Sequence, residues 1–256
     1  MELRLLRNAT MRIRYGGSLF LTDPLLAPKL SMKSYTGRSP NPLVDLPISP
    51  EEALAGAEML LLSHIHSDHF DGTAQRLVPK SMPIHCQSAD LGRLSELGFS
   101  DLRPVETEAS FGAMRIVRVP GSHGLGAVLE DMGTVSGYVL SSPGEPTVYW
   151  AGDTVLYDEV YRIVDRHHPD LIVTHSSGAV WGERRDLILM DAAQTVELVR
   201  YASRATVIAV HLEALDHGTV TRADLARARD EAGIDAARLL IPRDGETVSI
   251  PAAVRS

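Results

Sequence analysis

The chain has 256 residues, of which 44% are hydrophobic and 23% charged, the composition of an ordinary folded protein with a substantial core. Its net charge of −8 gives no electrostatic footprint for nucleic acid, and no apolar run approaches the roughly 20 residues that span a bilayer. The start of the chain lacks the apolar core of a signal peptide and Cys86 is the only cysteine, so we expect a cytoplasmic protein. We also expect a single domain over residues 1–256, without nucleic-acid or membrane partners.

Short strands are predicted at the beginning of the chain. Alternating apolar and polar residues indicate strands at 3–6 and 11–15, and a third strand at 18–21 follows the hairpin signal Gly16-Gly17. This third strand ends at Thr22-Asp23-Pro24, where Asp23 fits a turn-capping residue before proline.

The segment 25–49 is rich in proline and has little periodicity. Long irregular segments inside a folded domain tend to be either functional or disordered. Tyr35 and Arg38 are its candidates for contacting a substrate, and Arg38 together with the nearby lysines hints at an anionic one. A solvated surface loop is the alternative for each of these residues.

The capping pattern Ser49-Pro50-Glu51-Glu52 predicts a short helix, and a buried strand is predicted after it at 59–62. The most informative stretch of the sequence follows this strand. Three histidines and one aspartate then occur within six residues: His64, His66, Asp68 and His69. Imidazole and carboxylate groups are ligands of divalent metals, and open α/β sheets place ligands at the carboxyl ends of their strands. A solvated polar loop is the alternative. Such a loop accounts for one histidine or aspartate, but not for four of these residues so close together. The stretch therefore predicts a metal site.

Beyond this stretch, strands and helices alternate, as is typical of α/β proteins. Helices are predicted at about 72–78, 88–97, 155–167, 191–202 and 221–233. Strands are predicted at about 83–86, 114–119, 135–140, 147–151, 171–174, 206–210, 238–241 and 246–250.

Three further candidate ligands also follow the ends of predicted strands: His123, Asp153 and His211. A carboxylate at the end of a buried strand needs water or a cation. The structural alternatives are a surface histidine for His123, a helix N-cap for Asp153 and a core histidine for His211. His175 and His217 are additional candidates for lining the site, with a structural role as the alternative.

The pattern His64-x-His66-x-Asp68-His69 resembles the HxHxDH signature of the metallo-β-lactamase superfamily. The resemblance extends from Asp23 to the closing turn Pro242-x-Asp244-Gly245. It implies the metallo-β-lactamase fold, a four-layer αββα sandwich of the α/β class with two similar halves and a site at one edge. It also implies two metal ions, one held by His64, His66 and His123, the other by Asp68, His69 and His211, with Asp153 bridging them and Asp23 supporting the site from behind.

The resemblance implies a metal-dependent hydrolase in which two divalent ions lower the pKa of a shared water and Asp68 accepts its proton. Zn²⁺ is the first expectation, with Mn²⁺ or Fe²⁺ as alternatives. The chain looks most similar to the ascorbate-6-phosphate lactonase-like branch, so we expect a small ester-like substrate, either a lactone or a phosphodiester. A non-catalytic metal-binding protein and a di-iron redox protein are the alternative functions. The sequence also allows a homo-oligomer.

Overall fold

Two β-sheets of seven strands each form the centre of the computed structural model, which describes residues 1–251; the last five residues of the expected domain 1–256 lie outside the described part. The first sheet contains, in spatial order, β16 (Thr247–Ser249), β1 (Glu2–Arg7), β2 (Thr10–Tyr15), β3 (Ser18–Thr22), β4 (Met59–Leu61), β5 (Ile84–Cys86) and β6 (Leu102–Pro104). The second contains β15 (Leu239–Leu240), β14 (Thr206–Val210), β11 (Leu171–His175), β10 (Val148–Trp150), β9 (Ser136–Ser141), β8 (Met114–Pro120) and β7 (Glu108–Phe111).

A separate two-stranded hairpin is made of β12 (Val180–Trp181) and β13 (Asp186–Leu187). The helices are α1 (Pro50–Leu54), α2 (Gly72–Leu77), α3 (Leu91–Glu96), α4 (Leu129–Met132), α5 (Asp158–His167), α6 (Ala192–Tyr201) and α7 (Arg222–Glu231). None of the helices within residues 1–251 has the length and apolar character needed to cross a bilayer.

The two sheets have the same internal plan. In the first, β16, β1, β2 and β3 pair antiparallel, and β3, β4, β5 and β6 pair parallel. In the second, β7 to β10 pair antiparallel, and β10, β11, β14 and β15 pair parallel. The two similar halves that the sequence resemblance implied are therefore present, and each half contributes parallel strands whose carboxyl ends meet at one edge.

Strand β4 shows how the layers are held together. Leu61 packs into the core between the two sheets, whereas Leu60 and Leu62 pack against the helices outside the first sheet. Successive strand residues point to opposite faces, so a strand covered on both faces reads as a continuous apolar run. Each fully buried leucine contributes about 2 kcal/mol to folding. A third core packs α5, α6 and α7 on the second sheet, which completes the αββα order.

The structure also departs from the predicted elements. Strands β6 and β7, helix α4 and the β12–β13 hairpin were not predicted, because they are short and mostly not fully buried, and edge strands carry little apolar periodicity. Helix α5 begins at Asp158 rather than 155, since the Val155 N–H donates to the Ser122 carbonyl and stays outside the helix. The alternative that Asp153 caps this helix is therefore wrong; Tyr157 holds the cap position.

Candidate metal centre

All seven candidate ligands converge at the edge where the parallel strands end. Six of them are buried and His66 is half-buried. Their donor atoms include two close groups, one of which is the set His64, His66 and His123. The other group contains His69, Asp153 and His211, and adds His175. Side chains that are up to 147 residues apart in the chain thus face one another because β4, β8, β10 and β14 end at the same edge.

Asp153 lies between the two groups of histidines. Its Oδ2 atom is 3.1 Å from His69 Nε2, 3.3 Å from His123 Nε2 and 3.8 Å from His64 Nε2. Asp68 provides a second carboxylate, with Oδ2 3.4 Å from His69 Nε2 and 3.3 Å from His211 Nε2. Two carboxylate oxygens are therefore surrounded by imidazole nitrogens, the donor chemistry that zinc and similar ions accept.

Hydrogen bonds from behind orient three of the histidines. His123 Nδ1 donates to the Ile188 carbonyl at 2.9 Å, and His69 Nδ1 donates to Asp23 Oδ2 at 2.7 Å. His64 Nδ1 lies 2.9 Å from Ser63 Oγ, whose own proton is donated to Asp23 at 2.5 Å. With Nδ1 engaged from behind, each of these rings turns its Nε2 atom toward the centre. A metal-binding histidine needs such a partner on its other nitrogen.

The Nε2 atoms of His69 and His211 are buried and have no hydrogen-bond partner within the described residues. A buried polar atom without a well-formed hydrogen bond costs about 1–3 kcal/mol, so these two nitrogens, each beside a carboxylate oxygen, fit ligands of a bound cation. Burial lowers the pKa of His64 and His66, which keeps both rings neutral. Burial alone would raise the pKa of Asp153, but the surrounding histidines, His69 foremost, hold it well below its usual value.

Asp23 supports this centre and does not merely cap a turn. Its carboxylate is fully buried and accepts from the Ser63 N–H at 2.8 Å and from the Ser63 hydroxyl as well as from His69. Its φ of +32° and the φ of +62° at His211 lie in the left-handed region, which costs a non-glycine residue about 1 kcal/mol. Backbone strain of this kind is concentrated at functional sites.

The remaining candidates occupy three different places. Tyr35 and His217 line a cleft of about 160 Å³ above the centre, and their rings meet edge to face at 4.9 Å. Arg38 is exposed outside the cleft, and its Nε donates to Thr36 Oγ1. His175 lies beneath the centre, with Nδ1 2.5 Å from Asp153 Oδ1, and burial lowers its pKa to about 4.

The walls of the cleft were largely missed by the sequence reasoning. Besides the centre itself, it is lined by Tyr35, Asp131, Met132, Trp181, Ile188 and His217. Four of these belong to or flank α4 and the β12–β13 hairpin, where only the isolated Trp181 offered a signal. Within residues 1–251, no lysine or arginine lines the cleft.

Comparison with known proteins agrees with this geometry. Residues 19–212 match the sequence model of a family described as a β-lactamase superfamily domain. The chain is 34% identical over 255 residues to the UPF0173 protein YddR of Bacillus subtilis (strain 168), covering 96% of this chain and 99% of that protein. It is 24% identical over 251 residues to a UPF0173 metal-dependent hydrolase of Methylobacterium nodulans, covering 95% and 97% of the two chains.

Two solved structures are similar along almost the whole chain. One is an isothiocyanate hydrolase from Delia radicum gut bacteria, with a TM-score of 0.93, 34% identity, and coverage of 98% of this chain and 100% of that one. The other is a possible metal-dependent hydrolase from Veillonella parvula DSM 2008, with a TM-score of 0.93, 31% identity, and coverage of 98% and 99%.

The fold is the metallo-β-lactamase fold, as predicted. The chain belongs to the β-lactamase superfamily and, within it, to the UPF0173 family. The predicted enzyme class, a metal-dependent hydrolase, is confirmed at the level of this family. The lactonase-like branch stays a prediction.

Proposed function

We propose that the chain hydrolyses a small uncharged electrophile at two divalent metal ions. His64, His66 and His123 would hold one ion, and Asp68, His69 and His211 the other, with Asp153 shared between them. The unpartnered Nε2 atoms of His69 and His211 support this assignment. Zn²⁺ is the first choice for such a nitrogen-rich donor set, with Mn²⁺ and Fe²⁺ as alternatives.

When bound, such ions act as Lewis acids that polarise the substrate and make water a stronger acid. The chain supplies the remaining functions. Burial lowers the pKa of His64 and His66, so these two imidazoles can donate lone pairs to an ion, and Asp68 lines the cleft with its carboxylate facing the centre. Asp68 is therefore the group placed to accept a proton from water. Tyr35 closes one wall of the cleft through a 2.6 Å hydrogen bond between its hydroxyl and Ser67 Oγ.

The residues that line the cleft support an uncharged substrate. The cleft offers Met132, Trp181 and Ile188 as apolar surface, and among the described residues Asp131 is the one charged wall residue outside the candidate metal centre. A phosphodiester anion would enter a cleft that lacks a compensating lysine or arginine, and Asp131 would repel it. Arg38 and the early-loop lysines are exposed and do not line the cleft, so the hint of an anionic substrate finds no support in their positions.

Among uncharged electrophiles, we place isothiocyanates first, because a relative that is 34% identical along almost the whole chain is an isothiocyanate hydrolase. Water would add to the central carbon, and cleavage of the carbon–nitrogen bond would release a primary amine and carbonyl sulfide. The apolar cleft wall would hold the organic substituent. Lactones, the substrate class suggested by the sequence resemblance, have the same lack of charge and come second.

A substrate panel tests this proposal. The zinc-loaded protein is expected to hydrolyse benzyl isothiocyanate with a kcat/KM on the order of 100-fold above that for bis(p-nitrophenyl) phosphate, because the cleft rejects charge. A chromogenic lactone is the second arm, and the Arg38→Ala variant, altered outside the cleft, should retain all rates. Preferential hydrolysis of the phosphodiester would contradict the proposal. Bound iron with no hydrolysis would favour the redox alternative, and tightly held metal without turnover would favour a non-catalytic metal-binding protein.

A further inference from the structure

We propose that Trp150 and His175 form a positioning pair that reserves one oxygen of Asp153 for the metal ions. His175 would act through Asp153 and would not itself be a ligand. This inference rests on the proposed function, since it presumes that Asp153 contacts both ions.

The protonation of His175 follows from its two contacts. The indole Nε1–H of Trp150 donates to His175 Nε2 at 3.0 Å. Because an indole nitrogen can only donate, His175 Nε2 is the acceptor and carries no proton. The proton of the neutral ring is therefore on Nδ1, which lies 2.5 Å from Asp153 Oδ1 and donates to it.

The two carboxylate oxygens of Asp153 therefore have different contacts. Oδ1 accepts the hydrogen bond from His175 Nδ1, while Oδ2 faces His69 and His123 at 3.1 and 3.3 Å. A freely rotating carboxylate could bind one ion with both oxygens. Fixing Oδ1 from behind leaves Oδ2 as the oxygen that faces the proposed ions.

A ligand role for His175 is the competing interpretation. Its donor atom lies within 4.8 Å of those of His69, Asp153 and His211, so distance alone would admit it to a four-residue cation site. Both of its nitrogens are nevertheless engaged, one by Trp150 and one by Asp153. A nitrogen can bind a metal only with a free lone pair, and neither nitrogen of His175 has one.

The pair is anchored in the core of the molecule. Trp150 and His175 lie at the ends of the adjacent parallel strands β10 and β11, and both are at most 1% exposed. Trp150 also packs in the core between the sheets, with its ring centroid 6.0 Å from that of Tyr138. Through this pair, the position of Asp153 is tied to the buried core between the sheets.

Two substitutions at the same position separate the interpretations. In His175→Asn, the amide nitrogen can replace Nδ1 as a donor to Asp153, whereas His175→Gln places its amide near Nε2 and loses that donation. We expect His175→Gln and Trp150→Phe to lower zinc affinity about 10–100-fold, measured by competition with a chelator, and His175→Asn to retain most of it. His167→Gln, a histidine change on the distant end of α5, is the matched control.

A spectroscopic readout makes the test independent of activity and of whether the variants fold. The ¹⁵N chemical shifts of the zinc-loaded wild-type protein should show His175 as the Nδ1–H tautomer. An Nε2–H tautomer, or wild-type zinc affinity in both folded His175→Gln and Trp150→Phe, would overturn the positioning role while leaving the proposed function intact. A wild-type protein that neither binds zinc nor hydrolyses any substrate would instead remove the proposed function, and this inference with it.

Discussion

Replacing either His66 or Asp68 with alanine is expected to abolish hydrolysis, by at least about 10³-fold in kcat/KM, while the fold survives. Both side chains lie on the loop between β4 and α2 and line the cleft, outside the hydrophobic cores. His66→Ala removes one of three ligands proposed for the first ion. Asp68→Ala removes the proposed proton acceptor and also a ligand of the second ion.

Steady-state kinetics on the preferred substrate would measure the loss, and thermal unfolding would verify the fold. Arg76→Ala is a suitable control because Arg76 is exposed on α2, directly after the same loop. Its rates should equal those of the wild type. Hydrolysis retained in both His66→Ala and Asp68→Ala would exclude the proposed centre as the site of the reaction.

Gly152→Ala is expected to have the largest effect on folding, destabilising the chain by about 3 kcal/mol or more. Gly152 has a φ of +64°, and a Cβ atom there would lie 2.5 Å from the Ser136 carbonyl oxygen. That oxygen belongs to the backbone of β9, so it cannot move aside as a flexible side chain would. Relief of the clash would displace Asp153, the next residue, and zinc affinity should fall with stability.

Gly144→Ala is the matched control for this substitution. Gly144 also has a positive φ, +77°, but a Cβ atom there meets nothing within 4 Å. It should therefore show only the backbone cost of about 1 kcal/mol and leave zinc affinity unchanged. Urea unfolding of both variants measures the difference. Equal destabilisation by the two changes would mean that the turn before Asp153 is not sterically constrained.

The candidate ligands could be predicted from the sequence because each one follows a recognisable apolar strand. The local cluster from His64 to His69 made the chemistry specific, and β8, β10 and β14 run in the same direction, which brings His123, Asp153 and His211 to the same edge. The order of strands and ligands along the chain thus carries most of the information about the centre.

The groups that orient the centre could not be predicted in the same way. Asp23 could equally have capped a turn, and its contact with His69 spans 46 residues. His175 could equally have been a ligand, and only the bond from Trp150 fixes its protonation. Such roles depend on which nitrogen or oxygen faces which partner, and that is decided by packing rather than by residue type.

The substrate cleft could not be predicted from the sequence for a different reason. Its wall is built from α4, of four residues, and from a hairpin whose strands have two residues each. Segments this short show no periodicity, so neither Met132 nor Ile188 stood out from its surroundings. The sequence therefore predicted the kind of chemistry better than the kind of substrate.

A crystal structure of the protein grown with zinc, with anomalous scattering recorded at the zinc edge, would locate the proposed ions. We expect two peaks, each about 2.0–2.2 Å from its nitrogen and carboxylate ligands. His64, His66 and His123 should surround one peak and Asp68, His69 and His211 the other, with Asp153 Oδ2 contacting both. Absence of a peak between these residues, or His123, Asp153 and His211 turned away from the loop 64–69, would contradict the account.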